Sequence, residues 1–137
     1  MGIPTFLSEY GLSWIMTESP KNAKIISSKK EKNSNKETLH ERELTNKEWE
    51  MPMKTKGSQK HPFSKGSGYF VVLMNVIGNG DVMERYPVLC EHNIKVKDFL
   101  KKIHRVAVEK DVRNHKFWEG MIEYPKDGNV WWIRQGS

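Results

Sequence analysis

The chain has 137 residues, of which 36% are hydrophobic, with a mean hydropathy of −0.72 and a formal charge of +6. This length favours one domain, and the low apolar share indicates that part of the chain lies outside a core. The longest apolar run, residues 69–74, is far too short for a transmembrane helix, and the N-terminus lacks the pattern of a secretory signal. The single cysteine, Cys90, excludes an intrachain disulfide and suits a reducing compartment, so we expect a cytoplasmic or nuclear location.

Residues 1–16 form a short apolar segment. Its proline and its glycine argue against a long helix, and its large side chains include Phe6, Tyr10 and Trp14. Such a segment either packs onto the domain of its own chain or docks to a partner. The sequence leaves both interpretations open.

Residues 17–66 are dominated by Ser, Asn, Lys and Glu. Low hydrophobicity combined with high charge cannot offset the entropy of ordering a chain, so we predict a disordered basic linker. Within it, residues 37–49 have apolar positions near helical spacing, and Thr45 with Glu48 matches a capping box, which favours a transient helix. The alternative is a solvated charged stretch.

The positive charge lies in the same stretch. Residues 21–66 hold eleven Lys and one Arg against six Glu, a net of +6, whereas the rest of the chain holds eleven basic and eleven acidic residues. Attraction to an acidic partner should therefore come from this segment. The lysines expected to carry it are Lys29, Lys30, Lys32, Lys54 and Lys56.

The predicted domain spans residues 67–137 and begins with a hairpin. Residues 69–77 are apolar at both alternating sets of positions, which is typical of a strand covered on both faces. Asn79-Gly80 favours a type I′ turn before the returning run, residues 82–90. Pro87 cannot donate to a sheet ladder, so it predicts an edge position for this second strand and a central one for the first.

An amphipathic helix follows the hairpin. Apolar residues recur at helical spacing in one stripe, formed by Val96, Phe99, Leu100, Ile103, Val106 and Ala107. Asn93 is the best candidate N-cap, and Asp98 lies early in the helix, where the helix dipole favours an acid. Lysines occupy the other side, so we interpret the helix as a layer that covers a small sheet.

Two short strands are predicted at the end. The alternation in residues 117–124 places Trp118, Ile122 and Tyr124 on one face and Glu119 and Glu123 on the other. A turn at residues 125–129 leads to a last strand at 130–134. Trp131 and Trp132 are adjacent and must point to opposite faces, so at most one of them is fully in the core.

The element order predicts an α+β fold, a small ββαββ module. Its hairpin, followed by the helix segment Ile94-Lys95-Val96-Lys97-Asp98-Phe99-Leu100-Lys101-Lys102-Ile103, resembles the start of ubiquitin-like domains over about residues 69–107. This resemblance implies a β-grasp fold, in which the first strand is central and the second lies at an edge. It also implies that the strand at 130–134 lies beside the first.

The sequence predicts no catalytic, cofactor or metal site. Cys90 and His92 are two positions apart and would share one face of a strand, as a nucleophile and its base would need to. The sequence shows no recognisable oxyanion donor and no third group to orient the histidine. The five histidines lack the spacing of metal ligands, and no second cysteine supports zinc. We therefore expect a protein that is not an enzyme.

The first functional hypothesis is a protein-interaction module of ubiquitin-like type, with a protein partner and no membrane partner. Its contacts are expected from Phe6, Tyr10, Trp14, Tyr124, Trp131 and Trp132. The first alternative is nucleic-acid binding, in which lysines neutralise phosphates and an exposed tryptophan stacks on a base. The second is attachment to microtubules, since Ser8-Glu9-Tyr10 resembles short repeats of some centriolar and axonemal microtubule-associated proteins.

Overall fold

The computed structural model of the chain describes residues 3–30, 37–53, 68–77, 79, 81–124 and 130–136. Strands predominate among the elements, and the predicted α+β class is confirmed. The helices are α1 (Thr5–Ser8), α2 (Asn46–Trp49) and α3 (Val96–Glu109), with a 3₁₀ turn at Pro20–Asn22. The strands are β1 (Leu12–Ser13), β2 (Lys24–Lys30), β3 (Glu37–Glu43), β4 (Pro52–Met53), β5 (Gly68–Val76), β6 (Val82–Glu91), β7 (Ile94–Lys95), β8 (Phe117–Glu123) and β9 (Val130–Gly136).

The largest sheet has four strands in the order β6-β5-β9-β8. β5 pairs antiparallel with β6 and parallel with β9, and β8 pairs antiparallel with β9. The first and last of these strands therefore lie side by side at the centre of the sheet. The edge position of β6, predicted from Pro87, is confirmed; this proline lies opposite Val72 and offers no N–H to the ladder.

Helix α3 packs on one face of this sheet through its apolar stripe. The stripe residues Val96, Phe99, Leu100, Ile103 and Ala107 are buried, and Val106 packs against the same core. The start of the helix differs from the prediction, because Lys95 is the N-cap residue and makes no side-chain cap hydrogen bond. Asn93 instead adopts a φ of 72° in the turn before β7, a left-handed conformation that asparagine tolerates.

A β-bulge changes which side chains of β8 face the core. The register with β9 shifts between Trp118 and Met121, where Gly120 has a φ of 101°. Trp118 and Met121 are both buried, whereas Ile122 is 46% exposed. The predicted common face for Trp118, Ile122 and Tyr124 is therefore wrong, because the extra residue reverses the alternation.

The N-terminal segment folds back along the outer edge of β8. Trp118 N donates to Trp14 O at 3.0 Å, and Met16 N donates to Lys116 O at 2.9 Å. The Trp118 indole Nε1 also donates to Leu7 O at 3.3 Å. Leu7, Trp14 and Met16 are all buried, so this segment belongs to the core of its own chain.

Residues 17–30 and 37–53 carry regular structure, so the prediction of a disordered linker is not confirmed there; residues 31–36 and 54–66 lie outside the described residues. β2 and β3 form an antiparallel hairpin, to which β1 adds a third strand. Ala23, Ile25 and Leu44 are buried at its base. Average composition conceals these few buried apolar residues, which anchor a largely polar hairpin to the core.

The transient helix predicted over residues 37–49 is a strand in its first half and the helix α2 in its second. The capping box predicted there is confirmed: Glu48 N donates to Thr45 Oγ1 at 3.2 Å, and Thr45 N donates to Glu48 Oε1 at 2.9 Å. Arg42 donates to both carboxylate oxygens of Glu48, at 2.7 and 2.9 Å. These contacts join the end of β3 to the start of α2.

The segment after α2 closes on the start of α3. β4 pairs with β7, which places the buried Met53 opposite Ile94. Val96 N donates to Met51 O at 2.9 Å, which satisfies one of the helix N–H groups that lack an intrahelical partner. A single hydrophobic cluster thus contains buried residues from 1–16, 17–66 and 67–137.

Candidate functional site: the open face of the sheet

The face of the sheet opposite α3 is set by the alternation along β5. Tyr69, Val71 and Leu73 are buried beneath the helix. Phe70 and Val72 point to the other face, as do the residues paired with them on the neighbouring strands. We call this second face the open face.

Cross-strand pairing arranges apolar side chains on the open face in two parallel rows. One row crosses the sheet as Pro87, Val72, Trp132 and Ile122. The second row contains Leu89, Phe70 and Val130 by strand pairing, and Tyr124 by the bond from its N to Val130 O at 3.2 Å. The open face therefore consists of Pro87, Val72, Trp132, Ile122, Leu89, Phe70, Val130 and Tyr124.

Most of these side chains are accessible to solvent. Leu89 is 41% exposed, Ile122 is 46% exposed and Tyr124 is 70% exposed. Val72 is only 5% exposed because it lies at the centre of the rows, between Pro87 and Trp132. An apolar patch with a shielded centre and accessible sides differs from the scattered single hydrophobes of ordinary surfaces.

Trp132 is the largest side chain of the open face and is held in place by a hydrogen bond. Its Nε1 donates to Tyr124 O at 3.0 Å, so the indole lies along the sheet with its polar atom satisfied. Tryptophan in this setting combines a large apolar area with few rotatable bonds, which favours a rigid contact surface.

The sheet below the open face is reinforced where the β5–β9 ladder ends. Met74 N donates to Gln135 Oε1 at 2.7 Å, and Gln135 Nε2 donates back to Met74 O at 2.8 Å. The same Nε2 donates to His115 O at 3.1 Å. The side-chain amide thus takes the place of a β9 strand partner for the backbone of Met74, whose other side pairs with β6.

The structure does not bring the six predicted contact residues together on one surface. Trp14 is only 2% exposed and packs with its ring centroid 6.3 Å from that of Trp118, while Phe6 is partly buried against the core. Tyr10 is 58% exposed but lies in the N-terminal segment, away from the open face. Trp131 packs on the core side of the sheet.

Only Tyr124 and Trp132 of that set lie on the open face. Sequence reasoning missed its other members, above all Leu89 and Ile122. The signal that could have placed Ile122 was Gly120, because a glycine inside a strand marks a bulge. Of the predicted lysines, Lys29 and Lys30 lie on β2, whereas Lys32, Lys54 and Lys56 are outside the described residues.

The core side of the sheet contains two titratable groups that face each other, Tyr69 and Cys90. Both are fully buried, and burial raises the pKa of the Cys90 thiol to about 12 and also raises the pKa of the Tyr69 hydroxyl. A neutral, enclosed thiol is a poor nucleophile, which argues against Cys90 and His92 as a catalytic pair. Within the described ranges, no three His, Cys, Asp or Glu residues are grouped to hold a metal ion.

None of the helices that the structure describes is long and apolar enough to cross a membrane. Comparison with known proteins identifies no relative: no family model, no curated protein and no solved structure matches the chain.

Proposed function

We propose that the chain is a non-catalytic protein-interaction module of ubiquitin-like, β-grasp type, and that it binds a partner protein through the open face. The observation that carries this proposal is the pair of apolar rows that crosses all four strands opposite the helix. The expected occupant is an apolar surface of another protein, because covering both rows removes their apolar area from water and lowers the free energy.

The strand arrangement supports the β-grasp part of the proposal. A hairpin, β5 and β6, precedes one helix, and two strands follow it. The last strand, β9, lies parallel to β5 at the centre of the sheet. This is the order that the resemblance to ubiquitin-like domains implied, with the helix on one face and the other face available for contacts.

The composition of the open face supports the interaction part. Its exposed side chains surround the half-buried Trp132 and the shielded Val72. In protein interfaces, a few aromatic or aliphatic anchors carry most of the binding free energy, and surrounding contacts exclude water from them. Trp132 is the expected anchor; Ile122 lies beside it on β8, and Leu89 lies in the other row, on the far side of β5.

Paired substitutions on the open face test this function. Leu89→Lys with Ile122→Lys places two charges among the apolar rows, and both side chains are solvent-accessible, so the fold should be retained. Leu39→Lys with Val108→Lys is the matched control, because these residues are 70% and 53% exposed and lie on β3 and α3, outside the open face.

The experiment is affinity capture with the intact chain and both variants, followed by titration calorimetry with the purified partner. We expect the partner to bind the original chain and the control equally, and the open-face variant at least about tenfold more weakly. A partner that binds the open-face variant with unchanged affinity contradicts the proposal. Far-UV circular dichroism of all three proteins verifies that each is folded.

A further inference from the structure

A second concave surface lies on the opposite side of the molecule from the open face. It is a pocket of about 470 Å³ between the 3₁₀ turn, the end of β3, the single turn of α2 and the outer side of α3. This volume is within the range of pockets that bind small ligands or single side chains with their flanking backbone. None of its lining residues belongs to the open face.

The floor of the pocket is apolar and held by the core. Ala23 and Leu44 line it and are only 1% and 7% exposed, and Trp49 supplies an aromatic wall. Trp49 is the last residue of α2, whose first turn is fixed by the capping box of Thr45 and Glu48. The wall therefore has a defined position rather than belonging to a loose loop.

The rim of the pocket is basic. Lys21, Lys97 and Lys101 line it, against one acidic residue, Glu43. Lys97 donates to Glu50 Oε1 at 2.5 Å. In the described part of the chain, the ion pairs include neither Lys21 nor Lys101, so these two charges remain to attract an anion.

The segment that follows β4 is unfavourable as an occupant of this pocket because of its charge. Residues 54–67, which follow β4, contain four lysines and no acidic residue. Placing this segment against a rim of lysines would bring like charges together, whereas an acidic ligand would be attracted by Lys21 and by Lys101. Charge complementarity therefore selects an acidic occupant.

We propose that this pocket binds an acidic peptide segment of a partner protein. One apolar side chain of the peptide lies on Ala23 and Leu44 against Trp49, and flanking carboxylates pair with Lys21 and Lys101. The apolar anchor contributes affinity, and the lysines contribute specificity and the rate of association. The protein then has two binding surfaces, on opposite sides of the sheet.

The test is a nuclear magnetic resonance titration of the ¹⁵N-labelled full chain. The probes are acetylated pentapeptides with two acidic residues on each side of a central Leu, Met, Phe or Trp. We expect at least one to shift the amides of Ala23 and Leu44 and the Trp49 indole in a saturable manner. If none does so at 1 mM peptide, the proposal is overturned.

Two further peptides separate the apolar from the charge contribution. A version with lysines in place of the acids, and a version with a central serine, should each bind at least about tenfold more weakly. Equal binding of the lysine version contradicts the assigned charge preference, and equal binding of the serine version contradicts the apolar anchor.

Variants then locate the site. Lys21→Glu with Lys101→Glu should weaken the binding of the best acidic peptide by about tenfold or more. Arg85→Glu with Arg134→Glu is the matched control, because it changes the net charge equally at exposed positions of the large sheet and should leave binding unchanged. An equal loss of peptide affinity in both variants would mean that the peptide is attracted non-specifically by positive charge, and it would refute the site. Since the readout is confined to pocket residues, failure here is distinguishable from failure of the open-face proposal.

Discussion

The burial of Trp14 leads to a quantitative prediction about the N-terminal segment. Its side chain is 2% exposed, packs beside the Trp118 ring and donates from Nε1 to Glu18 O at 3.1 Å. Replacing a buried aromatic residue by alanine removes its transfer free energy and leaves a cavity, at a combined cost of about 3–5 kcal/mol. A domain of this size has a total stability of about 5–15 kcal/mol, so Trp14→Ala should remove a large part of it.

Urea unfolding followed by far-UV circular dichroism measures this change without depending on tryptophan fluorescence. Tyr10→Ala is the control in the same segment, since Tyr10 is 58% exposed and its loss should change the free energy of unfolding by less than about 0.5 kcal/mol. If Trp14→Ala has an equally small effect, the segment does not belong to the core, and the reasoning from burial fails. Trp14→Phe should lower the free energy of unfolding by less than Trp14→Ala and by more than Tyr10→Ala, because it keeps an aromatic ring but loses the hydrogen bond.

Three further predictions concern the bulge, the capping box and the buried thiol. Gly120→Ala should lower the free energy of unfolding by about 1–3 kcal/mol in urea titrations, because φ is 101° and the new Cβ would lie 3.0 Å from Ser8 O; an unchanged midpoint would contradict the strained geometry. Arg42 lowers the pKa of Glu48 from 4.5 to about 2. The ionised Glu48 carboxylate therefore stabilises the folded state fully above pH 4.5, and this contribution is lost as the pH falls towards 2. Since Arg42 is half exposed, we expect Glu48→Gln to lower the free energy of unfolding by only about 0.5–1 kcal/mol at pH 7. The urea midpoints of the original chain and of Glu48→Gln should converge as the pH falls, and a difference that stays constant in acid would refute the coupling. Cys90 should react with a thiol reagent at pH 8 only as fast as the protein opens, and at once in 6 M guanidinium; rapid reaction of the native protein would show that the thiol is accessible.

Local patterns predicted the parts of the fold that depend on neighbouring residues. The apolar stripe of α3 follows from helical spacing, and the edge position of β6 follows from the missing N–H of Pro87. The capping box of Thr45 and Glu48 could be read from two residues three positions apart. Each of these features is governed by a constraint within a few residues.

The open face and the ordered hairpin could not be predicted in the same way. The predicted alternation in β8 does not include the bulge at Gly120, whose φ is 101° and which lies against Ser8 and Glu9 of the N-terminal segment. The hairpin of β2 and β3 was missed because composition averages over Ala23, Ile25 and Leu44. A few buried residues anchor a segment that is rich in polar and charged residues.

The sequence by itself determined the α+β class, the covering helix, the edge strand and the location of the positive charge, because these depend on local periodicity, proline chemistry and residue counts. Only the tertiary structure decided that Trp14 is a core residue, and that Ile122 and Tyr124 share an accessible face with Trp132 and not with Trp118. The physical reason is that a side chain's exposure depends on which distant segment covers it. In this chain, a one-residue bulge and a folded-back N-terminal segment help to decide which aromatic residues are buried and which are exposed to solvent.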